Sequence, residues 1–179
     1  MIKNKTFLTI IAARKSSKRL VNKNILKFCD KPLIYWTINC AKQIKYKNDI
    51  FVTSDCETVK KISLENKVKF IQRPKNYAND KIMPDAAILH AYKKINSHYD
   101  YIIFLQPTAP LRESKDIEKA LEIIIEQKAD SLLSVIVSKK FIWNQKQKYF
   151  YPVNYDFLKR PSTQEFKNFE ENGSIYVFR

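Results

Sequence analysis

The feature that most constrains this chain is an apolar run that ends abruptly in a cationic loop. Residues 7–13 read FLTIIAA, and residues 14–19 read RKSSKR. A run that is apolar on both alternating faces is typical of a parallel strand covered on both sides. Ligands of parallel α/β sheets bind at the carboxyl ends of the strands, so this loop can direct guanidinium, ammonium, hydroxyl and backbone N–H donors at one anion. A nucleotide phosphate is an anion of that kind.

The rest of the chain alternates in the same way. Apolar runs and helical periodicity predict strands at 7–13, 49–54, 68–72, 101–105, 131–137 and 174–178, and helices at 32–45, 56–66, 85–96 and 114–127. Ser114 is the expected N-cap of the last helix. This βαβ repetition predicts a doubly wound, mostly parallel α/β sheet, and a length of 179 residues suits one domain. We expect residues 1–179 to form a single domain.

The regular pattern is interrupted between residues 138 and 169. This segment is rich in lysine and in aromatic residues, including Trp143 and Phe157. It would form either a small core of its own under a long connection or a surface that packs on a second subunit. The sequence leaves both interpretations open.

The charge of the chain is strongly positive, with 33 basic residues and a formal net charge of +15. Such a charge suits nucleic acid, an anionic membrane or small acidic substrates. The basic residues are scattered and not interleaved with aromatic residues, which disfavours nucleic acid and membranes as partners and is typical of a solvated, lysine-rich surface. No apolar stretch reaches a membrane span, and Arg14 directly follows the first run, so we expect a cytoplasmic protein. The three cysteines are expected to be reduced and packed.

Arginine is rare in this chain and is therefore informative. Only six of the 33 basic residues are arginine. The planar guanidinium forms bidentate hydrogen bonds with phosphate and carboxylate groups, whereas the lysine ammonium does not. Five of the six lie in or beside loops predicted to be functional.

A second informative loop follows the predicted strand 101–105 and reads QPTAPLR over residues 106–112. Its two prolines hold it extended, so that Gln106 and Thr108 occupy fixed positions beside the first loop. In one interpretation, this loop forms part of a sugar-binding site. The alternative is a proline-stiffened connection with a surface arginine.

Together these motifs resemble those of the acylneuraminate cytidylyltransferases, the CMP-sialic acid synthetase family. The family pattern contains Ala-Arg-x-Gly-Ser-Lys with a later Lys-Asn, Ser-Asp, Arg-Pro before Ala-x-Asp, Leu-Gln-Pro-Thr-x-Pro-Leu-Arg, and Asn-Gly-x-Ile-Tyr. The corresponding residues are Ala13 to Lys18 with Lys23 and Asn24, Ser54 and Asp55, Arg73 and Pro74 with Ala78 to Asp80, Leu105 to Arg112, and Asn172 to Tyr176.

The resemblance implies a Rossmann-like fold of the nucleotide-diphospho-sugar transferase type, a homodimer, and transfer of CMP from CTP to an acidic nine-carbon sugar with release of pyrophosphate. Magnesium would accompany CTP. By the same resemblance Arg14 and Lys23 would be catalytic, and Arg73 would serve the cytosine pocket. The resemblance further assigns Arg14, Ser17, Lys18, Lys23 and Asn24 to CTP, and Gln106, Thr108, Arg160 and Tyr176 to the sugar.

The chain departs from the family pattern in three places. Ser16 replaces the usual glycine, residues 81–84 replace the usual serines, and the chain ends at Arg179 before the family's Asp-x-Asp magnesium segment. We expect a cytidylyltransferase, and for residues 1–179 alone we expect CTP binding with little or no turnover. The rival hypotheses are an impaired CTP-binding homologue and a basic domain associated with nucleic acid. The metal ligands stay unassigned. Asp55, Asp80 and Asp85 are acidic candidates, and for each of them a role as helix cap or loop hydrogen bonder is expected in preference to metal ligation. His90 and His98 are expected to be structural or exposed.

Overall fold

The computed structural model describes residues 2–15, 20–77 and 84–179. The strands in chain order are β1 (Phe7–Ala12), β2 (Lys27–Phe28), β3 (Lys31–Pro32), β4 (Asn48–Ser54), β5 (Lys69–Gln72), β6 (Tyr101–Leu105), β7 (Ser131–Ser138), β8 (Trp143–Lys146), β9 (Tyr149–Pro152) and β10 (Asn168–Phe178). The helices are α1 (Leu33–Lys42), α2 (Glu57–Glu65), α3 (Pro84–Ile95) and α4 (Ser114–Glu126), with short 3₁₀ helices at Ile2–Asn4, Lys23–Ile25, Lys75–Tyr77 and Phe157–Lys159.

The chain divides into two compact units. The first contains the residues up to Ser134 together with Gly173–Arg179, and the second is Val135–Asn172. The predicted excursion at 138–169 lies within the second unit. The single-domain organisation of residues 1–179 stays a prediction.

The first unit is built on a sheet whose strands follow the order β5, β4, β1, β6, β10, β7. Strands β1, β4, β5 and β6 are parallel, and β10 runs antiparallel to β6. Ile11 lies opposite both Val52 of β4 and Leu105 of β6, so the carboxyl ends of the parallel strands meet at one edge. Ile175 of β10 also lies opposite Leu105, which brings the preceding residues of β10 to the same edge.

Alternating side chains of β1 divide the core into two layers. Phe7 and Ile11 face the helices α1, α2 and α4, whereas Leu8 and Ile10 face α3. Helices therefore cover both faces of the sheet, and the predicted doubly wound, mostly parallel α/β fold is confirmed. The buried helical residues include Ile34, Ile38 and Ala41 of α1, Val59 of α2, Ile117, Leu121 and Ile124 of α4, and Ile88 and Ala91 of α3.

Three local predictions were wrong. Ser114 is the first residue of α4 rather than its N-cap, because extended Glu113 holds that position, and no side chain caps the helix. Cys29 is exposed, while Cys40 and Cys56 are buried as expected, and all three are free. The last strand begins at Asn168 rather than at residue 174, since its first half contains charged residues that hide the strand pattern.

The second unit contains an antiparallel hairpin of β8 and β9. Beside it, the rings of Phe141 and Phe166 stack at 4.4 Å, and Tyr155 meets Phe141 edge-on at 4.8 Å. This small aromatic core supports the first interpretation of the segment. Other aromatic side chains of the unit stay exposed, among them Trp143, Tyr149, Phe150 and Phe157.

Within the described residues, none of the helices combines the length and the apolar character that crossing a membrane requires.

Candidate active site

The loop after β1 is fixed from two sides at the carboxyl edge of the sheet. The buried side chain of Asn24 donates from Nδ2 to the carbonyl oxygen of Arg14 at 2.9 Å. The backbone N–H of Lys15 donates to Oδ1 of Asp55, directly after β4, at 2.7 Å. These bonds hold the half-buried Arg14 between the ends of two parallel strands. Lys23, also half-buried, precedes Asn24 and shares this region of the site.

Arg73 follows β5 and lies beside the same loop. Its backbone N–H donates to the carbonyl of Ser54 at 2.8 Å, and its Nη2 donates to the carbonyl of Thr53 at 2.7 Å. The Thr53 carbonyl also accepts the N–H of Ala13 at 3.0 Å, so Arg73 is joined to the end of β1 through one shared acceptor.

The Arg73 side chain is only 5% exposed. Burial lowers its pKa to about 10, with Asp55 acting to raise it and Arg14 acting to lower it further. The guanidinium therefore remains charged at neutral pH. Its Nε has no hydrogen-bond partner among the described residues.

The second loop, after β6, is held by another buried arginine. Arg112 is 8% exposed, and it donates from Nη2 to the carbonyl of Gln106 at 2.8 Å and from Nε to Oγ of Ser174 at 3.0 Å. The interpretation of this residue as a surface arginine was therefore wrong. Gln106 is half-buried, whereas Thr108 is exposed.

The only glycine of the chain, Gly173, borders this loop. Its φ of +68° lies in the left-handed region, and a Cβ placed on it would lie 3.8 Å from Oε1 of Gln106. The backbone of β10 at Gly173 therefore lies next to the Gln106 side chain.

The remaining predicted site residues are distributed more widely. Tyr176 packs on Phe104 with ring centroids 5.5 Å apart, on the face of the sheet that α3 covers. Arg160 lies in the second unit, exposed, with its guanidinium 4.4 Å from the centre of the Phe141 ring. Ser17 and Lys18 lie outside the described residues. Their roles, like those of Arg160 and Tyr176, stay predictions.

The described carboxylates do not form a metal cluster. No group of three or more His, Cys, Asp or Glu side chains lies together in residues 2–15, 20–77 and 84–179. Asp55 acts as a loop hydrogen bonder with Oδ1, and Asp85 is exposed in the first turn of α3. Asp80, like Ser16, lies outside the described residues.

The two histidines are structural or exposed, as expected. The His90 ring lies 4.9 Å from that of Tyr77, burial lowers its pKa, and His98 is exposed.

Arginine usage drew attention to Arg14, and the family resemblance added Arg73. The loop hydrogen-bonding role expected of Asp55 is confirmed. Its partner, Lys15, was not predicted, and neither was the burial of Arg112. The Lys15 N–H to Asp55 bond joins residues 40 positions apart, and the Arg112 to Ser174 bond joins residues 62 apart. Neither contact leaves a local signal. The use of arginine in a lysine-rich chain was the available signal for Arg112.

Comparison with known proteins gives a consistent result. The sequence profile of the family described as "Cytidylyltransferase" matches residues 8–177. The chain is 33% identical to an N-acylneuraminate cytidylyltransferase of Escherichia coli over 95% of its own length, and it spans only 41% of that relative. It is 32% identical to the post-translational flagellin modification protein B of Campylobacter coli over 96% of its own length and 77% of the relative's. For a pseudaminic acid cytidylyltransferase of Campylobacter jejuni, the identity is 31%, over 96% of this chain and 66% of the relative.

Among solved structures, the fold is similar to that of a CMP:2-keto-3-deoxy-manno-octonic acid synthetase determined with CTP. The TM-score is 0.73 at 22% identity, over 97% of this chain and 74% of that one. At this identity the likeness concerns the fold alone.

Proposed function

This chain belongs to the cytidylyltransferase family, and from that premise we propose that it transfers CMP from CTP to a sialic acid or a related nonulosonic acid, with release of pyrophosphate. The names of the E. coli and C. jejuni relatives support an acceptor of this class. The chain spans less than half of the E. coli relative, so the activity is a proposal for this chain. We also propose that the protein acts in the cytoplasm, where CTP is made.

The observation that carries the proposal is the pair of like charges at the carboxyl edge of the sheet. Arg14 lies close enough to lower the pKa of the buried Arg73 guanidinium. Two cations in a partly buried position repel each other, and a polyphosphate between them removes that repulsion. Among the described residues the Arg73 guanidinium donates to a carbonyl and to no carboxylate, although the Asp55 carboxylate lies close enough to raise its pKa. A phosphate would supply the direct charge-assisted contact that the guanidinium lacks there.

In the proposed reaction, a hydroxyl of the acceptor attacks the α-phosphorus of CTP in line. A bond forms between that oxygen and phosphorus, the bond to the β-phosphate bridge breaks, and pyrophosphate leaves. Arg14 and Lys23 would offset the charge on the phosphates, and Asn24 would hold the loop that carries Arg14. Arg73 would bind the nucleotide beside the end of β5. Gln106, Thr108 and Tyr176 would contact the sugar.

The described part of the site provides the Asp55 carboxylate as a candidate ligand for a divalent cation. Magnesium needs only one or two protein carboxylates when phosphate oxygens complete its coordination. Asp55 uses Oδ1 for the loop after β1, and its Oδ2 is the oxygen that could hold the ion with CTP. Bound magnesium would supply Lewis-acid polarisation of the phosphates.

The test is a pair of measurements on the full chain. Calorimetry with CTP, using GTP as the control, is expected to show binding that prefers CTP. Pyrophosphate release, measured with CTP, magnesium and a panel of keto-acid sugars, then identifies the acceptor. Absence of CTP binding would refute the proposal, whereas binding without release for every acceptor would favour a CTP-binding homologue.

We further propose a homodimer in which the second unit forms the contact. Its exposed aromatic side chains include Trp143 at 51% and Phe157 at 62% exposure. A self-complementary patch buries the same side chains twice, and aromatic anchors dominate the affinity of such contacts.

Light scattering tests the dimer. The wild type is expected to be dimeric at about ten micromolar, and the double variant Trp143→Ala with Phe157→Ala is expected to be monomeric. Lys148→Ala, an exposed change in the same unit, is the control. A monomeric wild type would exclude this contact.

A further inference from the structure

A second buried cation, Arg112, lies at the edge where the acceptor would bind. It ends the loop between β6 and α4, and its side chain is buried. Its two hydrogen bonds reach different parts of the first unit: the Gln106 carbonyl directly after β6, and the Ser174 hydroxyl in β10.

The surroundings of Arg112 are unusual for a residue that only stabilises a loop. No carboxylate lies within ion-pair distance of it among the described residues, and its Nη1 has no hydrogen-bond partner there. Burial lowers the pKa of its guanidinium. A buried charge without a charged partner opposes folding, and apolar side chains fill such positions at lower cost. Stability alone therefore does not explain an arginine at this position. Its role is to be sought in how its hydrogen bonds position the neighbouring residues.

That geometry determines where Gln106 lies. Arg112 donates to the main-chain carbonyl of Gln106, and the same guanidinium donates to the hydroxyl of Ser174, the residue that follows Gly173. The Gln106 side-chain amide in turn lies within 4.0 Å of the Cβ position of Gly173. One planar group thus fixes the end of β6 relative to β10 at Ser174.

We propose that Arg112 is a positioning residue for the acceptor sugar, because its buried guanidinium joins Gln106 to Ser174 and so fixes the Gln106 side chain at the carboxyl edge of the sheet. This inference rests on the proposed function. It assigns different residues to the two substrates. Arg112 acts on the acceptor through Gln106, whereas CTP is bound by the loops that carry Arg14 and Arg73.

Three variants remove the contacts in steps. Arg112→Met keeps the length of the side chain and removes both bonds. Arg112→Lys keeps the charge but lacks the planar guanidinium that makes both bonds. Ser174→Ala removes the acceptor of the Nε bond and leaves the bond to the Gln106 carbonyl in place. Lys115→Met is the control, since it removes an exposed positive charge three residues further along.

The expected result is a split between the two substrates. In pyrophosphate-release kinetics, Arg112→Met should raise the acceptor KM by about tenfold or more, because small displacements of a positioning group are costly. Arg112→Lys and Ser174→Ala should give smaller increases, and Lys115→Met none. The Kd of CTP, measured by calorimetry, should stay within about twofold of wild type in all four variants.

Hydrogen–deuterium exchange provides a readout that does not depend on turnover. Arg112→Met should accelerate exchange in residues 106–112 and 173–176 and leave β1 and β4 unchanged. If the wild type neither binds CTP nor turns over, the proposed function fails, and exchange alone then decides whether Arg112 fixes these segments.

Two results would overturn the inference. One is unchanged exchange together with an unchanged acceptor KM in the Arg112 variants. The other is an equal loss of CTP and acceptor affinity, which would indicate a merely structural role. If Arg112→Met does not fold, Ser174→Ala and Arg112→Lys decide by the same criteria.

Discussion

Positively charged side chains have different partners at the two ends of the central sheet. At the amino ends of the strands, lysines contact carboxylates: Lys5 lies 2.9 Å from Asp100, and Lys69 lies 2.9 Å from Asp49. At the carboxyl ends, Arg73 and Arg112 are buried and donate to carbonyl and hydroxyl oxygens instead.

This difference predicts that the amino ends of the strands serve stability and that the carboxyl ends serve the proposed binding of CTP. Exposed ion pairs neutralise charge and contribute modestly to folding. The buried guanidiniums of Arg73 and Arg112 donate to neutral oxygens and form no ion pair within the described part of the chain. Such a charge costs folding energy, and at functional sites it is suited to binding an anion. Substitutions at the two ends should therefore have different consequences, and each prediction below tests that separation.

The largest effect is expected at the carboxyl end. Arg14→Ala should weaken CTP binding by about 10- to 100-fold, because one charge-assisted contact with phosphate contributes about 1.5–3 kcal/mol. Calorimetry with CTP measures the change. Lys5→Ala, at the amino end, is the control and should leave the CTP affinity unchanged. Equal affinities for Arg14→Ala and the wild type would show that the carboxyl end does not bind CTP through Arg14.

Much of the fold followed from the sequence because buried strands have a strong local signal. The prediction for β6 matched the observed strand at both ends, and that for β1 differed by one residue. The hairpin of β2 and β3 was missed, since its two-residue turn uses Cys29 and Asp30 with φ of +46° and +62°. Such a turn usually carries Asn-Gly, and the turn of this chain lacks that signal.

The site was predictable only where residue choice carried the information. The scarcity of arginine drew attention to Arg14, and the family resemblance gave Arg73 its role. The structure joins both to the carboxyl edge of the sheet. The burial of Arg112 was not predictable, because it depends on Ser174, 62 residues away in the chain. Which residues a guanidinium contacts is a property of tertiary packing, and composition does not specify it.

The next effect is a loss of stability at the amino end. Asp100 accepts three hydrogen bonds, from Lys5 Nζ, from the Thr6 backbone N–H and from Thr6 Oγ1, each at 2.9 Å. Asp100→Asn should lower the free energy of unfolding by about 1–2 kcal/mol, since the charge and part of the hydrogen bonding are lost. Urea denaturation measures it. An equally large loss of CTP affinity in this variant would contradict the separation of the two ends.

The same carboxylates predict how stability depends on pH. Lys5 and Thr6 lower the pKa of Asp100, and Lys69 and Tyr99 lower that of Asp49. The folded state therefore binds fewer protons than the unfolded state near pH 4, so this stabilisation is present above the unfolded pKa and is lost as the pH falls through the folded pKa. Urea midpoints measured between about pH 6 and pH 3 should fall for the wild type. They should fall less for Asp100→Asn, and identical slopes would show that Asp100 does not contribute.

The smallest predicted effect is a gain of stability at the amino end. Lys67 follows α2 with a φ of +58°, in a Schellman arrangement in which its N–H donates to Leu64 at 2.9 Å and that of Val68 donates to Ser63 at 3.1 Å. Glycine adopts this left-handed conformation without the steric cost that a side chain imposes, so Lys67→Gly should raise the free energy of unfolding by about 0.5–1 kcal/mol. The matched control is Lys61→Gly, in the interior of the same helix, which should lower it by about 1 kcal/mol. Urea denaturation of both variants measures whether the free energy of unfolding rises or falls. The CTP affinity should be the same in both variants. A loss of stability in Lys67→Gly would show that lysine is favoured there by contacts other than backbone geometry, and a change in CTP affinity would show that the amino end is coupled to the site.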